Sequence, residues 1–280
     1  MGEKLRADVA LVRQGLASSR EKAQSLIMAG LAYQKEVKIL KPSEIVQNPE
    51  ELHVKQPLHP YVGRGALKLE KALNAFGADV NGAVALDIGA ATGGFTDVLL
   101  QKGAAHVYAI DVGYGQLDWK IRNDPRVTVM ERTNARYLTR ESLSHTPTLT
   151  VMDVSFISVK LLLPVAAGLM NQTGTFYILI KPQFEAGRQH VGKKGVVRDP
   201  AVHEAVIGDI AKAAQGIGYH MTRLDFSPIK GPEGNIEYLA ELLPIPVHES
   251  KDSGLFPVSQ EDIAHVVARA HQSLSKSGIE

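Results

Sequence analysis

The sequence contains no cysteine. Disulfides, zinc–thiolate sites and cysteine nucleophiles are excluded at once. Net charge is also scarce: 31 Lys and Arg face 30 Asp and Glu, leaving +1, so the chain as a whole does not advertise a polyanionic partner. Long apolar runs are missing as well. The longest, Leu161 to Met170, is interrupted by Pro164 and Gly168 and falls short of the ~18–20 residues that cross a bilayer. The N-terminal residues hold no apolar core of the signal-peptide kind. A cytoplasmic location without a membrane partner is therefore expected. Internal repeats and low-complexity tracts are absent. What remains is a composition of 44% hydrophobic and 22% charged residues, ordinary for a globular protein. The 280 residues hold one large domain plus a small one, or two medium ones.

The charge that is present is uneven. Residues 1–41 carry eight Lys and Arg against four acids, a local +4. Leu5, Val9 and Val12 recur at helical spacing and stop at Gly15. Ser18 or Ser19 caps a second helix with Ala23, Leu26 and Ile27 on its apolar stripe and Gly30 at its end. Short extended pieces follow at 31–33, 37–40, 45–46 and 52–54. A compact α+β module over 1–56 is predicted, near the lower size limit for independent folding. A Pro- and Gly-bearing linker over 57–64 comes next, then a second domain over 65–280.

That second domain is organised around Asp87-Ile88-Gly89-Ala90-Ala91-Thr92-Gly93-Gly94-Phe95-Thr96. An apolar strand leads in and a helix leads out, so backbone amides at a helix N-terminus face whatever binds there. The spacing is not the Gly-x-Gly-x-x-Gly of a dinucleotide fold. A carboxylate at the strand end favours a cationic ligand over a diphosphate, and the sulfonium and amino groups of S-adenosyl-L-methionine fit. Candidate cofactor residues are Asp87, Gly89, Ala91, Thr92, Gly93, Gly94 and Phe95.

Strands at 83–88, 106–111, 127–130, 148–153 and 175–181 alternate with helices near 94–102, 116–122, 136–143 and 157–169, which argues a parallel sheet covered on both faces. A helix over 201–217, two strands from Tyr219 and from Asn235, and a last helix capped by Ser259 and Asp262 complete the chain. Ligands of such sheets bind beyond the carboxyl ends of the strands, where Asp87, Asp111, Asn134, Asp153 and Lys181 fall. Asp111 lies 24 residues after Asp87, the offset for a carboxylate on ribose hydroxyls; Asn134 is placed for the adenine. Each alone could merely cap the next helix. By pattern alone Lys68 is a solvated surface lysine on a helix from about Gly65. Residues 183–199, glycine- and basic-rich, are either a mobile substrate-side loop or an ordinary surface loop.

Two resemblances sharpen these readings. Arg6-x-Asp8-x-x-Leu11, Ser19-Arg20-x-x-Ala23-x-x-Leu26-Ile27-x-x-Gly30 and Lys41-Pro42-Ser43 resemble the RNA-binding module named after ribosomal protein S-four. The resemblance implies RNA contacts from Arg6, Arg20, Lys22 and Lys41; the family's Val-Asn-Gly hairpin is replaced here by residues 32–37. The blocks around Lys68, Asp153, Lys181 and Glu237 resemble the FtsJ-like ribose methyltransferases, which use a Lys-Asp-Lys-Glu tetrad. Together the blocks resemble the TlyA family, often labelled haemolysin A. That resemblance implies a class I (Rossmann-like) methyltransferase domain with a mostly parallel seven-stranded sheet and S-adenosyl-L-methionine as cofactor. It further implies 2′-O-methylation of cytidine in ribosomal RNA or ribosomal subunits, no metal, and Arg64 and Arg136 as further RNA contacts. Nothing fixes an oligomeric state.

The tetrad suits that chemistry. A ribose hydroxyl must lose its proton as it attacks, and a lysine serves as base only where its ammonium form is disfavoured by burial or a neighbouring cation. On this reading Lys181 is the base, Lys68 the neighbouring ammonium, and Asp153 and Glu237 orient the pair. Other acceptors recede: cytosine C5 methylation uses a cysteine, and amine methylation an Asn/Asp-Pro-Pro-Tyr block where this chain has Asp153-Val154-Ser155-Phe156. The alternatives are a membrane-active haemolysin and a non-catalytic RNA-binding assembly factor.

Overall fold

The computed structural model describes residues 4–28, 30–55, 59–245 and 257–275. The chain divides into two compact units, 1–60 and 61–280. In the first, β1 (Leu5–Arg6) pairs with β4 (Ile45–Val46), and β2 (Ala32–Gln34) lies between β3 (Val37–Lys38) and β5 (Leu52–Val54). Helices α1 (Ala7–Arg13) and α2 (Arg20–Met28) cover a small core of Ala7, Ala10, Leu11, Ala23, Ile27 and Ile39. Ser19 caps α2, its hydroxyl accepting from Lys22 N at 3.2 Å. Leu5 opens a strand rather than a helix, because its residue pairs with Val46. Of the expected linker, 57 and 58 lie outside the described residues.

The second unit is a three-layer α/β sandwich. Its strands are β6 (Val84–Ile88), β7 (His106–Ile110), β8 (Val127–Met130), β9 (Leu149–Met152), β10 (Thr175–Ile180), β11 (Tyr219–Phe226) and β12 (Tyr238–Pro244). They order as β11-β12-β10-β9-β6-β7-β8, with β12 alone reversed against both neighbours. Side-chain alternation builds both faces. Leu86, Ile88, Tyr108, Ile110, Phe176 and Ile178 point to one apolar layer; Ala85, Val107, Ala109, Tyr177 and Leu179 point to the other. The second face is covered by α3 (Ala66–Phe76), α4 (Gly94–Gln101) and α5 (Trp119–Arg122). The first is covered by α6 (Leu163–Leu169), α8 (Pro200–Gln215) and α9 (Gln260–Ser275). The short α7 (Pro182–Glu185) follows β10.

Three expected helices are shorter than their periodicity implies. Over 136–143 there are only 3-10 turns at Ala135–Tyr137 and Arg140–Ser142, because Thr139 and Ser142 bond each other and leave the helical path. Over 157–169, Ser158 caps a 3-10 turn at Val159–Leu161, and Pro164 allows α6 to start only at Leu163. Asp118 accepts from Lys120 N and delays α5 to Trp119. The last helix is capped reciprocally, Ser259 with Asp262 at 2.6 to 3.1 Å. The longest apolar run is split between the turn and α6, its residues Leu162, Leu163, Ala166 and Ala167 buried in the core; no described helix is long and apolar enough to cross a membrane.

Candidate active site

The winding reverses where β6 lies between β7 and β9, and a cavity of about 320 Å³ opens there beyond the strand ends. Its wall includes Gly89, Ala91, Asp111, Asn134 and Asp153, five of the expected cofactor residues, together with Gln116, Thr133, Ser155 and Phe156. Gly89 has φ +89°, and a Cβ there would sit 2.7 Å from the Asp153 carbonyl oxygen, so only glycine lets β6 and β9 approach this closely. Asp111 is fixed from both sides: Oδ2 accepts from Ala91 N at 2.8 Å and Oδ1 from Gly113 N at 2.7 Å. Each oxygen retains a lone pair for a ligand hydroxyl. Asn134 does two things at once. Its Oδ1 caps the following turn by accepting from Arg136 N, while the residue lines the cavity.

The other half of the glycine turn faces elsewhere. Asp87 is fully buried behind the wall, accepting from Thr96 Oγ1 at 2.6 Å. Burial, with the charges of Asp153 and Asp111, pushes its carboxyl up to about 7. Gly93 packs against Leu117 and Ile121, Gly94 against the backbone of Ala66 and Gly63, and Phe95 joins the core. Thr92 is exposed at the turn. None of these lines the cavity. A cavity of this size, with a doubly held carboxylate, an amide and a glycine floor, suits a nucleoside whose hydroxyls donate and whose charge is positive. S-adenosyl-L-methionine has that chemistry.

Lys68 from α3, Lys181 from the end of β10 and Glu237 from the start of β12 gather around Asp153 at the end of β9; of the four only Asp153 lines the cavity. Lys181 Nζ is 2.6 Å from Asp153 Oδ1, Lys68 Nζ 3.6 Å from Asp153 Oδ2, and Lys68 Nζ 2.7 Å from Glu237 Oε2. Lys68 is buried rather than solvated. It lies beside Leu69 in the first turns of α3, on the side that packs on the sheet.

Sequence reasoning passed over several neighbours. Ser155 Oγ accepts from Lys181 Nζ at 2.9 Å. Glu185 accepts from Ser158 Oγ at 2.6 Å and from Val159 N at 2.8 Å, bracing the 153–159 turn against α7. Phe156 holds φ 64° and is 92% exposed, its ring 5.0 Å from that of Phe184. A bulky residue strained and exposed beside a cavity is a common mark of function; the only sequence signal was its place three residues after Asp153.

Of the expected RNA contacts, Arg64 lies four residues before Lys68, while Arg6, Arg20, Lys22 and Lys41 belong to the first unit. Arg6 and Arg20 are both bonded to buried Asp8: Arg6 Nε and Nη2 at 3.0 Å each, Arg20 Nη2 at 3.0 Å. Gln24 adds a fourth donor at 3.1 Å. Lys22, Lys41, Arg64 and Arg136 are exposed, and the Arg136 guanidinium lies 5.4 Å from the Tyr137 ring centre.

Against known proteins, the family described as FtsJ-like methyltransferase matches residues 61–242. The chain is 47% identical over 278 residues to the "Putative rRNA methyltransferase YqxC" of Bacillus subtilis (strain 168), covering 98% of this chain and 96% of that one. It is 44% identical over 266 residues to the 16S/23S rRNA (cytidine-2'-O)-methyltransferase TlyA of Mycobacterium tuberculosis (strain ATCC 25618 / H37Rv), covering 95% and 97%. Among solved structures, a "Putative hemolysin from Streptococcus thermophilus" superposes with TM-score 0.75 at 41% identity over the whole of both chains.

Proposed function

The chain belongs to the FtsJ-like methyltransferases, and from that premise we propose that it transfers a methyl group from S-adenosyl-L-methionine to the ribose 2′-oxygen of cytidine in ribosomal RNA. Relatives named for that reaction over nearly the full length support the substrate. The observation that carries the reading is the meeting of two ammonium and two carboxylate groups around Asp153, which itself lines the nucleoside-sized cavity.

Asp111 would hold the ribose hydroxyls of the cofactor, Asn134 its adenine edge, and the backbone at Gly89 and Ala91 its amino acid end. The cofactor supplies the methyl group on a sulfonium, already activated as a leaving group. The protein's part is placement and proton removal. Lys181 Nζ takes the 2′-hydroxyl proton as the oxygen attacks. Asp153 and Ser155 aim that nitrogen, while Lys68, held by Glu237 and Asp153, keeps a positive charge close by. The exposed Phe156 ring, paired with Phe184, offers a face on which the target base can stack, an interaction of about 1–3 kcal/mol.

The first unit is proposed as the RNA-gripping module of the S-four type, with Arg6, Arg20, Lys22 and Lys41 on phosphates, and Arg64 and Arg136 adding contacts on the methyltransferase unit. The protein would act in the cytoplasm, where ribosomal subunits are. The test is methyl transfer from labelled cofactor into ribosomal subunits, followed by digestion to nucleosides. Label in 2′-O-methylcytidine, abolished by Lys181→Ala, is expected. Label in a base, or equal transfer by the variant, would sink the reading.

A further inference from the structure

The segment between α7 and α8 concentrates charge of one sign. From Ala186 to Asp199 it contains Arg188, Lys193, Lys194 and Arg198 against one acid, Asp199, whose carboxylate caps α8 by accepting from Ala201 N at 3.0 Å. All four cations are exposed, and no ion pair of the described residues includes any of them. Other exposed cations, Lys22 and Arg136 among them, also lack an ion pair among the described residues, so it is the concentration of four on one short segment that points to an external partner.

The segment is also pinned. Gly192 N donates to Val196 O and Gly195 N to Gly192 O, closing a tight turn. Asn235, 2% exposed, grips that turn twice: its Oδ1 accepts from Val197 N at 3.0 Å, and its Nδ2 donates to Gly195 O at 2.8 Å. From α8, fully buried His203 meets Val197 O through Nε2 at 3.1 Å and the Tyr238 hydroxyl through Nδ1 at 2.7 Å. A carbonyl can only accept, so Nε2 carries the proton and Nδ1 accepts from tyrosine. Both polar groups of Val197 are thus held by side chains sealed from water. A loop with no task rarely receives two buried anchors.

The anchors tie the segment to the reaction site. It starts one residue after Glu185 and five after Lys181, and Asn235 lies two residues before Glu237. It therefore sits at the carboxyl end of β10, beside the tetrad.

We propose that residues 188–198 form a rigid cationic arm that binds the phosphodiester backbone of the RNA flanking the target ribose, with Asn235 and His203 fixing its place. The inference rests on the RNA-methylating reading and adds to Arg64 and Arg136 a further, fixed grip on the methyltransferase unit. Placement beside the reacting ribose is its use: a backbone held next to the target cuts the freedom lost on reaching the reactive geometry. An anionic lipid surface is the other polyanion, but the arm carries no exposed aromatic or long aliphatic residue to bury in a bilayer.

The test compares the full chain with the variant R188A/K193A/K194A/R198A, measuring affinity for ribosomal subunits from 50 to 300 mM salt. Removing one cation–phosphate pairing reduces the log–log salt slope by roughly 0.7–0.9, so with all four engaged the slope should fall by about 3 and affinity at physiological salt by at least tenfold. Cofactor affinity by calorimetry, retained within about twofold, shows that the variant is folded. Asn235→Ala keeps every charge and frees the turn. It should weaken RNA binding several-fold with an unchanged slope and speed amide exchange at Gly195 and Val197. If the fourfold variant keeps the wild-type slope and affinity while the wild type binds and methylates RNA, the arm is not an RNA contact. Wild-type binding to phosphatidylglycerol vesicles that the fourfold variant alone loses, with RNA affinity untouched, would overturn it in favour of lipid. Failure of the wild type to bind or methylate ribosomal RNA at all overturns the parent reading, and the arm's partner with it.

Discussion

Arg6 and Arg20 meet at Asp8 in the first unit; Lys68 and Lys181 meet at Asp153 in the second. The arrangements share a plan, two cations on one carboxylate, and differ in what surrounds it. The arginine side chains are 45% and 55% exposed over a carboxylate that is wholly buried. The lysine side chains are 9% and 10% exposed over a carboxylate that keeps 18%. A guanidinium never gives up its proton in a protein but has donors to spare, so the exposed pair can present the remainder to a phosphate. Because each Nη2 lies 3.0 Å from the same Asp8 oxygen, the two are no more than 6.0 Å apart, near enough to serve one anionic group. A lysine amine, unlike a guanidinium, is able to serve as a general base. On the proposed reading, one arrangement holds charge and the other moves it.

Replacing the proton-mobile cation by a fixed one breaks that contrast most severely. Lys181→Arg retains the charge beside Asp153 but cannot serve as base. Single-turnover methyl transfer at saturating RNA should fall by about 10²–10⁴-fold, while calorimetry still shows cofactor binding. Survival of more than a tenth of the rate would remove Lys181 from the role of base. Glu237→Ala comes next. It leaves Lys68 buried with only the Asp153 contact at 3.6 Å, and breaking a buried pair from one side costs about 3 kcal/mol. The urea midpoint should drop accordingly, and an unchanged midpoint would mean that Lys68 finds water.

In the first unit the matching experiment is Asp8→Asn. Both arginines remain, so the salt dependence of RNA binding should hold, yet their fixed placement is lost and affinity should fall about tenfold. A changed slope with unchanged affinity would show that Asp8 does not position the pair.

How much of this could be read from residues alone depends on the range of the interaction. Strand alternation, the Ser19 cap and the Ser259–Asp262 exchange are local, and the chain declares them within a few positions. The seven-stranded order follows once strands and helices are seen to alternate. The place of Asp111 and Asn134 on the cavity wall was legible because cavities of such sheets open beyond the strand ends. What escaped was long-range. Lys68 reads as solvated because its helical neighbours do not reveal that Glu237, 169 residues on, neutralises it. The bond from Lys181 to Ser155 and the brace of Glu185 on the 153–159 turn join separate elements. Asn235 is silent in sequence, since its two partners lie 38 and 40 residues away. The over-long helix at 136–143 failed for the opposite reason: Thr139 and Ser142 compete locally for backbone groups that periodicity assigns to a helix.

A further effect follows from two buried acids, one in each unit. Asp8, ringed by the donors of Arg6, Arg20 and Gln24, is held well below the usual carboxylate range, chiefly by the Arg6 bond. Asp87, equally buried, has no cation beside it and rises to about 7. The two act on stability with opposite signs. A lowered carboxyl stabilises the fold above its unfolded value near 4 and loses that contribution only as pH falls through the folded value. A raised carboxyl stabilises the fold most below about 4, where both states are protonated, and the contribution drains as pH rises toward 7. Thermal unfolding of the ligand-free protein from pH 5 to 8, set against Asp87→Asn, isolates the second term. The wild type should lose stability relative to the variant by up to ~1.4 kcal/mol per pH unit, flattening once the carboxyl is ionised. Curves that stay parallel across this range would mean that Asp87 is charged throughout. Some cation or ordered water would then already reach its otherwise unpartnered Oδ1. A positively charged ligand should relieve the same cost, so cofactor should raise the melting temperature more at pH 8 than at pH 6, and the variant should lose that difference.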